Sequence, residues 1–340
     1  MAKNIQKQML AVLKETSASG VTIKKIPIPQ TPQGEVKIKV LYASICGTDV
    51  GIYNWNPWVA EKLKPPIVIG HEVVGEILEI NGHAPHLKKG DIVSSETHIY
   101  DNACYQCAIN NRHICENVQF FGYGRNGGFS EYATIPIATT WKNDKRIPLE
   151  SMSVQEPLGN SVHVITKAQV TGKKVLIIGL GPTGLCAGMV AKVYGAAVVV
   201  GLNRKEYRRK LAKEIGFDRV LESLSENEYN TFDVVCEMSG GVQALPLALN
   251  AARIAGKIIA FGIPKDEVAI NLGPIINKEL TIESVFGRRI WETWYQTSEL
   301  LVSGKVDLRK IITHRFKLKD FEAAMAVMKS GECGKILLEP

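Results

Sequence analysis

The sequence predicts an α/β protein with two domains, one mainly β and one built on a parallel sheet. In the first 155 or so residues, apolar and polar side chains alternate as in half-buried strands, and glycine and proline interrupt them often. After about residue 157, short apolar runs alternate with helical patterns, which is typical of a parallel sheet covered by helices. A length of 340 residues also favours more than one domain.

Composition and charge argue against several classes of protein. Hydrophobic residues make up 45% and charged residues 22% of the chain, as in ordinary globular proteins. The first segment, MAKNIQKQMLAVLKET, has too short an apolar run for a secretory leader, and no stretch of 18 apolar residues exists. We therefore expect a cytoplasmic protein that does not enter membranes, in which clustered cysteines bind metal. The net charge of +7 comes from scattered lysines, so no nucleic-acid partner is expected.

The mainly β domain is predicted to comprise residues 1–156 and 298–340. Its strands are predicted from the alternation in VTIKKIPIP (21–29), EVKIKVLYASI (35–45), VVGEILEING (73–82) and KKGDIVSSE (88–96). In the last part of the chain, SELLVSGKV and FEAAMAVMKSG have the pattern of amphipathic helices, and GKILLEP that of a final strand.

The parallel-sheet domain is predicted to span residues 157–297. Its first strand, KKVLIIG, is followed by a glycine-rich turn, a helix and a second strand that ends at Asn203. The segment RKEYRRKLAKEIGF is predicted to be a helix that ends at Gly216. Further buried strands are expected in FDVVCEMSG, GKIIAFGI and LTIESVFG.

A dinucleotide-binding turn is predicted between the first strand and helix of this domain. Gly179, Gly181 and Gly184 form the pattern G-x-G-x-x-G, with Pro182 and Thr183 inside it. The glycines permit a tight turn, close approach of the pyrophosphate and close packing of helix against strand, and the helix N-terminus faces the phosphates. The context indicates a doubly wound Rossmann coenzyme domain.

The end of the second strand favours NADP over NAD. An NAD site usually has Asp or Glu there to accept a ribose hydroxyl, but this chain has Asn203, followed by Arg204 and Lys205, with Arg208 one turn later. A neutral side chain beside arginines suits a 2′-phosphate. The alternative is a solvated basic helix start that does not discriminate between the cofactors.

Several motifs together resemble the zinc-dependent medium-chain alcohol dehydrogenases, and among them the L-threonine 3-dehydrogenases. The resemblance extends nearly from end to end of the chain. It rests on CGTDVGIYNWNPW, KPPIVIGHEVVGE, ETHI, WKN, QEPLGN, GRRIWETWY, LLVSGK and IITHRF. It implies that the mainly β domain is a GroES-like catalytic domain and that the partner is a small alcohol or ketone. A homo-oligomer, dimer or tetramer, is also expected.

The resemblance also implies the residues of a catalytic zinc site. Cys46, His71 and Glu156 would be the ligands, and Glu72 would bind in alternation with water or substrate. Asp49 would orient His71. Thr48 would relay the proton of the substrate hydroxyl.

A second zinc site is expected in a lobe at about residues 98–118. Related enzymes carry four cysteines there, whereas this chain has Asp101 followed by Cys104, Cys107 and Cys115 at the same spacing. A carboxylate oxygen binds zinc at a distance similar to that of the other ligands, so we expect a structural zinc held by one oxygen and three sulfurs. The alternative is a lobe without metal.

A further departure concerns the substrate. The threonine dehydrogenases usually have His where this chain has Gly51, and that His lies near the substrate and its proton route. The expected reaction is reversible oxidation of a secondary alcohol, with L-threonine as the first candidate and a polyol, sugar or amino-polyol as the second. A non-catalytic NADPH-binding redox sensor is the alternative outside enzymes. Trp55 and Trp58 are expected either at the mouth of the cleft or in ordinary hydrophobic packing.

Overall fold

A computed structural model of the chain describes residues 7–340, so the first six residues of the segment compared with a secretory leader lie outside it. The chain forms two compact units. The first contains the residues up to Glu156 together with Ile312–Ser330 and Lys335–Pro340, and the second contains Pro157–Ile311 and Gly331–Gly334. Within residues 7–340, no helix is long and apolar enough to cross a bilayer.

The chain returns to the first unit at Ile312, later than the position 298 expected from the sequence. The intervening residues stay with the second unit because Leu308 and Ile311 are fully buried. The turn that carries them packs against the helix Pro182–Val193.

The first part of the chain is mostly strands joined by short helices. Its elements are β1 (Gln8–Lys14), β2 (Thr22–Pro27), β3 (Glu35–Ile45), α1 (Gly47–Asn54), α2 (Pro57–Lys62), β4 (Ile67–Val68), β5 (Glu72–Asn81), β6 (Ile92–Ser95), β7 (His98–Ile99), α3 (Tyr105–Ala108), β8 (Gln119–Phe120), β9 (Tyr132–Pro136), β10 (Thr140–Lys142), α4 (Leu149–Met152) and α5 (Gln155–Ala168).

Strands and helices alternate in the rest of the chain. These elements are β11 (Lys174–Ile178), α6 (Pro182–Val193), β12 (Val198–Leu202), α7 (Glu206–Glu214), β13 (Arg219–Leu221), β14 (Phe232–Glu237), α8 (Ala244–Ala251), β15 (Ala252–Ala260), α9 (Leu272–Asn277), β16 (Thr281–Ser284), α10 (Glu292–Val302), β17 (Ile312–Lys317), α11 (Phe321–Ser330) and β18 (Lys335–Glu339).

The main sheet of the first unit brings distant parts of the sequence together. Its strand order is β10-β6-β5-β3-β18-β17, and β9 also pairs with β3. Strand β3 pairs antiparallel with β5, where Ser44 lies opposite Glu72, and with β18, where Ser44 lies opposite Leu337. Strands β5 and β18, which are far apart in the sequence, therefore flank the same end of β3.

The second unit contains a six-stranded sheet in which every pair of neighbouring strands is parallel. The order is β13-β12-β11-β14-β15-β16. The chain proceeds outward from β11 on one side and then returns to place β14 on the other, so the carboxyl ends of β11 and β14 border the point where the strand order reverses. This order confirms the predicted doubly wound sheet. Buried Leu176, Val200, Val235 and Ile258 supply part of its core.

The glycine-rich turn depends on a close approach of two backbone segments. A Cβ atom on Gly184 would lie 1.9 Å from the carbonyl oxygen of Gly179, whose own φ of +95° is in the left-handed region. A Cβ on Gly181 would meet only Nη1 of Arg208, at 3.5 Å.

We expect Gly184→Ala to lower the free energy of unfolding by about 1–3 kcal/mol, because backbone has to shift to admit the methyl group. Gly181→Ala is the matched control and should change stability much less. Denaturant unfolding measures both. Equal stability of the two variants would contradict the close packing of α6 on β11.

Candidate active site

Three of the predicted metal ligands lie together in the first unit. Cys46, His71 and Glu72 each offer a ligand atom, and these atoms all lie within 4.8 Å of one another. Cys46 stands between the end of β3 and the start of α1, and His71 directly precedes β5. Because β3 and β5 are paired neighbours, their ends place a thiol, an imidazole and a carboxylate in one small volume.

The fourth predicted ligand, Glu156, is not part of that group. It lies in the first turn of α5, is 7% exposed, and accepts a hydrogen bond of 3.4 Å from Oγ1 of Thr97. Its charge nevertheless acts on the group, since it is among the causes that raise the pKa of Glu72. The charge of Glu156 is therefore felt at the ligand group, while its Oε1 accepts a hydrogen bond from Thr97.

Asp49 holds two members of the cluster, as expected for a residue that orients His71. One of its oxygens, Oδ2, accepts a hydrogen bond of 2.8 Å from the backbone N–H of Cys46. The other, Oδ1, lies 3.6 Å from Nδ1 of His71, and the Asp49 side chain is fully buried. This arrangement leaves Nε2 of His71 as the nitrogen available to a metal.

The same carboxylate changes the protonation of the imidazole. Burial alone would lower the pKa of His71, but the charge of Asp49 and the contacts with Asp49 and Cys46 raise it well above its ordinary value. A metal at this site therefore displaces a proton from His71, and its affinity falls as the pH falls.

A buried ion pair restrains Glu72. Nζ of Lys335 lies 2.7 Å from Oε1 and 2.5 Å from Oε2 of Glu72, and it also donates to the carbonyl oxygen of Ile45 at 3.2 Å. The hydroxyl of Ser44 donates to the same carboxylate. Burial raises the pKa of Glu72, and Lys335 counteracts that effect. A metal that recruits Glu72 has to compete with Lys335 and Ser44.

The donor set of this cluster fits zinc. A thiolate, an imidazole and a nearby carboxylate are ligand types of zinc sites, and three protein ligands leave an open position for substrate. Thr48, the predicted proton relay, places its Oγ1 3.9 Å from Sγ of Cys46. The ring of Trp55 contacts a cation: Nζ of Lys14 lies 5.4 Å from the ring centroid. This contact supports ordinary packing as the role of Trp55.

The predicted structural lobe forms a second cluster of four potential ligands. The ligand atoms of Asp101, Cys104, Cys107 and Cys115 all lie within 4.8 Å of one another. Sγ of Cys104 lies 3.8 Å from Sγ of Cys115, and Oδ1 of Asp101 lies 3.4 Å from the same sulfur. One oxygen and three sulfurs in a compact group fit a tetrahedral zinc.

Hydrogen bonds favour the charged forms of two ligands of this lobe, Asp101 and Cys104. The N–H groups of Ala103 and Cys104 and the amide of Asn117 hold the pKa of Asp101 well below its usual range. Burial opposes ionisation of Cys104, but the N–H groups of Cys107 and Glu116 outweigh it and lower its pKa. Burial raises the pKa of Cys107 to about 12, so this thiol ionises only when a cation is present.

The predicted dinucleotide turn lies at the carboxyl end of β11. Gly181 is the N-cap of α6, and Pro182 and Thr183 form its first turn, where Pro is favoured. Gly184 follows within the same helix. The backbone N–H groups at this helix end point to where a pyrophosphate binds in such folds.

The basic segment after β12 has a more ordered structure than the sequence shows. Oδ1 of Asn203 accepts a hydrogen bond of 2.8 Å from the N–H of Lys205. Arg209 donates to the carbonyl oxygens of Asn203 and Arg204, at 3.0 and 2.7 Å. Nη1 of Arg208 approaches Gly181, and its buried Nε has no hydrogen-bond partner among residues 7–340. Arg208 is thus the arginine that faces the glycine-rich turn.

Sequence reasoning missed Lys335 and Ser44 at the metal cluster and Glu237 in the second unit. Glu237 ends β14, is 3% exposed, and its Oε1 accepts hydrogen bonds from both N–H and hydroxyl of Ser239 and from the N–H of Gly240. The one visible signal was a carboxylate that follows the apolar residues at the end of the strand. Lys335 gave no signal in the sequence, because a lysine is ordinarily exposed.

Comparisons with known proteins agree with this arrangement. Residues 32–145 match the family of alcohol dehydrogenase GroES-like domains, and residues 182–303 match the zinc-binding dehydrogenase family. An L-threonine 3-dehydrogenase of Caldanaerobacter subterraneus subsp. tengcongensis is 42% identical over 343 residues, covering 98% of this chain and 99% of the relative.

Two solved structures extend the likeness. The crystal structure of 2R,3R-butanediol dehydrogenase from Bacillus subtilis has a TM-score of 0.89 at 26% identity, with 98% of this chain and 99% of that chain covered. An alcohol dehydrogenase of Escherichia coli CFT073, complexed with NADH, has a TM-score of 0.88 at 28% identity, with the same coverage. The chain therefore belongs to the zinc-dependent medium-chain alcohol dehydrogenases, which act on CH–OH groups with a nicotinamide cofactor.

Proposed function

We propose that the chain oxidises the hydroxyl group of L-threonine, or of a closely similar secondary alcohol, at the cluster of Cys46 and His71. The observation that carries the proposal is the cluster of the Cys46 thiol with the buried His71 imidazole, in which Asp49 accepts a hydrogen bond from the N–H of Cys46 and places Oδ1 3.6 Å from Nδ1 of His71. L-threonine is chosen as the substrate because an L-threonine 3-dehydrogenase is 42% identical to this chain along nearly its whole length.

The residues of the site have separate tasks in this reaction. Cys46 and His71 would hold a zinc ion, which would supply a Lewis acid for the carbinol oxygen and so lower the pKa of the hydroxyl. Asp49 keeps the imidazole oriented, and Thr48 takes the hydroxyl proton and passes it to solvent. Glu156 would supply the third ligand, a carboxylate, in place of its hydrogen bond with Thr97. The nicotinamide cofactor supplies the hydride acceptor.

A polyol is the second candidate substrate. It is favoured by Gly51, which removes the side chain that threonine dehydrogenases usually carry at this position. The structural likeness to a butanediol dehydrogenase is consistent with such a change. Kinetics with L-threonine and with common polyols distinguish the two.

We expect Cys46→Ala to abolish turnover and to remove about one zinc ion per chain, while the dinucleotide still binds. Asp49→Asn is a graded control: it keeps the ligands but loses the charge that orients His71, and zinc affinity should fall by roughly 10–100-fold. Metal analysis and steady-state kinetics measure these effects. Substantial turnover by zinc-free Cys46→Ala protein would contradict the proposed role of the cluster.

For the lobe we propose a structural zinc held by Asp101, Cys104, Cys107 and Cys115. The protein should then contain about two zinc ions per chain, one at each cluster. Cys107→Ser should lose one of them and lower the melting temperature. Cys236→Ser, which changes a fully buried thiol of β14, is the matched control and should retain both. A wild-type protein purified without chelators that holds a single zinc, with reactive lobe thiols, would be inconsistent with this site.

We propose NADP as the preferred cofactor. Asn203 presents no negative charge to a 2′-phosphate, and its side-chain Oδ1 accepts a hydrogen bond from the backbone N–H of Lys205. Arg204 directly follows Asn203 in the chain, whereas Arg208 faces the turn that would bind the pyrophosphate common to both cofactors.

Arg204→Ala should therefore raise the Michaelis constant for NADP about tenfold or more and leave that for NAD nearly unchanged, since one charge-assisted hydrogen bond is worth roughly 1.5–3 kcal/mol. Arg208→Ala should weaken the binding of both cofactors. Asn203→Asp should make NAD the preferred cofactor. Steady-state kinetics with each cofactor measure this. Equal or better efficiency with NAD in the unmodified enzyme would refute the preference.

A further inference from the structure

Gly51 leaves no room for a side chain, and the reason is a neighbouring indole. It is a buried residue of α1, and a Cβ placed on it would lie 2.7 Å from Cζ2 of Trp58 and 3.2 Å from both Cε2 and Nε1. Gly47 in the same helix has no heavy atom of the described residues within 4 Å of such a Cβ. Trp58 thus occupies the space that a side chain at position 51 would take.

The same indole begins a row of aromatic rings that ends at a metal ligand. Trp58 and Tyr123 are in edge contact, with centroids 6.3 Å apart and an interplanar angle of 87°. Tyr123 makes a similar contact with His71, at 6.2 Å and 84°. Phe120 stacks on Tyr123 at 4.6 Å and fixes its plane. We call Trp58 and Tyr123 the aromatic wall.

The indole part of the wall presents mainly carbon to its surroundings, whereas Tyr123 also carries a phenol hydroxyl. The edge of the indole that carries Nε1 faces Gly51, and the rest of the indole ring offers only carbon atoms. Trp58 and Tyr123 are partly exposed, whereas Gly51 and His71 are buried. The wall therefore borders open space beside the ligand cluster.

We propose that Trp58 determines substrate specificity: its indole, seated against Gly51, is the apolar part of the aromatic wall and receives a short hydrocarbon arm on the carbinol carbon of the substrate. A methyl carbinol such as L-threonine fits this wall. A polyol or sugar with hydroxyls on both carbons next to the carbinol carbon has to leave one of them without a hydrogen-bond partner against the indole. The inference rests on the proposed function and selects between its two substrates.

Three variants test the proposal. Gly51→Ala forces the indole to move, and kcat/KM for L-threonine should fall about tenfold or more. Gly47→Ala, in the same helix, is the matched control and should leave kcat/KM unchanged. Trp58→Ala removes the wall, so the ratio of kcat/KM for 2-amino-3-hydroxypentanoate to that for L-threonine should rise about tenfold or more, since the longer arm gains space.

The double variant separates specificity from general damage. If the effect of Gly51→Ala acts through the indole, Gly51→Ala/Trp58→Ala should show the same substrate ratio as Trp58→Ala alone. Zinc content and melting temperature are measured for every variant, and Trp58→Phe replaces Trp58→Ala if the latter does not fold. Unchanged substrate ratios in an active, zinc-loaded Trp58 variant would overturn the inference alone. A wild-type enzyme that oxidises none of these alcohols would overturn the proposed function as well.

Discussion

The ion pair between Lys335 and Glu72 joins the last strand of the chain to β5 at the metal cluster itself. Lys335 opens the last strand, Glu72 opens β5, and both are almost fully buried. Removal of one partner would leave an uncompensated buried charge, which in other proteins costs roughly 3–5 kcal/mol. The pair therefore requires β18 and β5 to flank β3 in their observed positions, and those positions carry Cys46 and His71 to the same point.

Three carboxylates surround Cys46 and His71, and each of them is held by a neighbouring group. Asp49 is bonded to Cys46 and faces His71, Glu72 is neutralised by Lys335, and Glu156 rests on Thr97. The charge of a divalent cation among these groups would be balanced by the thiolate and by carboxylates that are already desolvated. The lobe uses the same principle with one carboxylate and three thiols, because N–H groups from its own backbone stabilise Asp101 and Cys104 in their charged forms.

Local patterns predicted much of this structure. Alternation in EVKIKVLYASI predicted a strand that the structure has at Glu35–Ile45, and the glycine spacing predicted the turn between β11 and α6. Interactions between distant segments were not predictable. The burial of Lys335 depends on strand pairing with residues 290 positions earlier in the chain. Gly51 indicated a missing side chain, whereas the indole that fills its place follows from how α2 packs on α1.

We propose that a metal site built from Cys46 and His71 carries out the chemistry of this enzyme. Anomalous diffraction at the zinc absorption edge, from crystals of protein purified without chelators, is the direct test of this site. We expect an anomalous peak within bonding distance of Sγ of Cys46 and Nε2 of His71, with a second peak in the lobe of Asp101. Crystals of active enzyme that show no anomalous peak between Cys46 and His71 would contradict it.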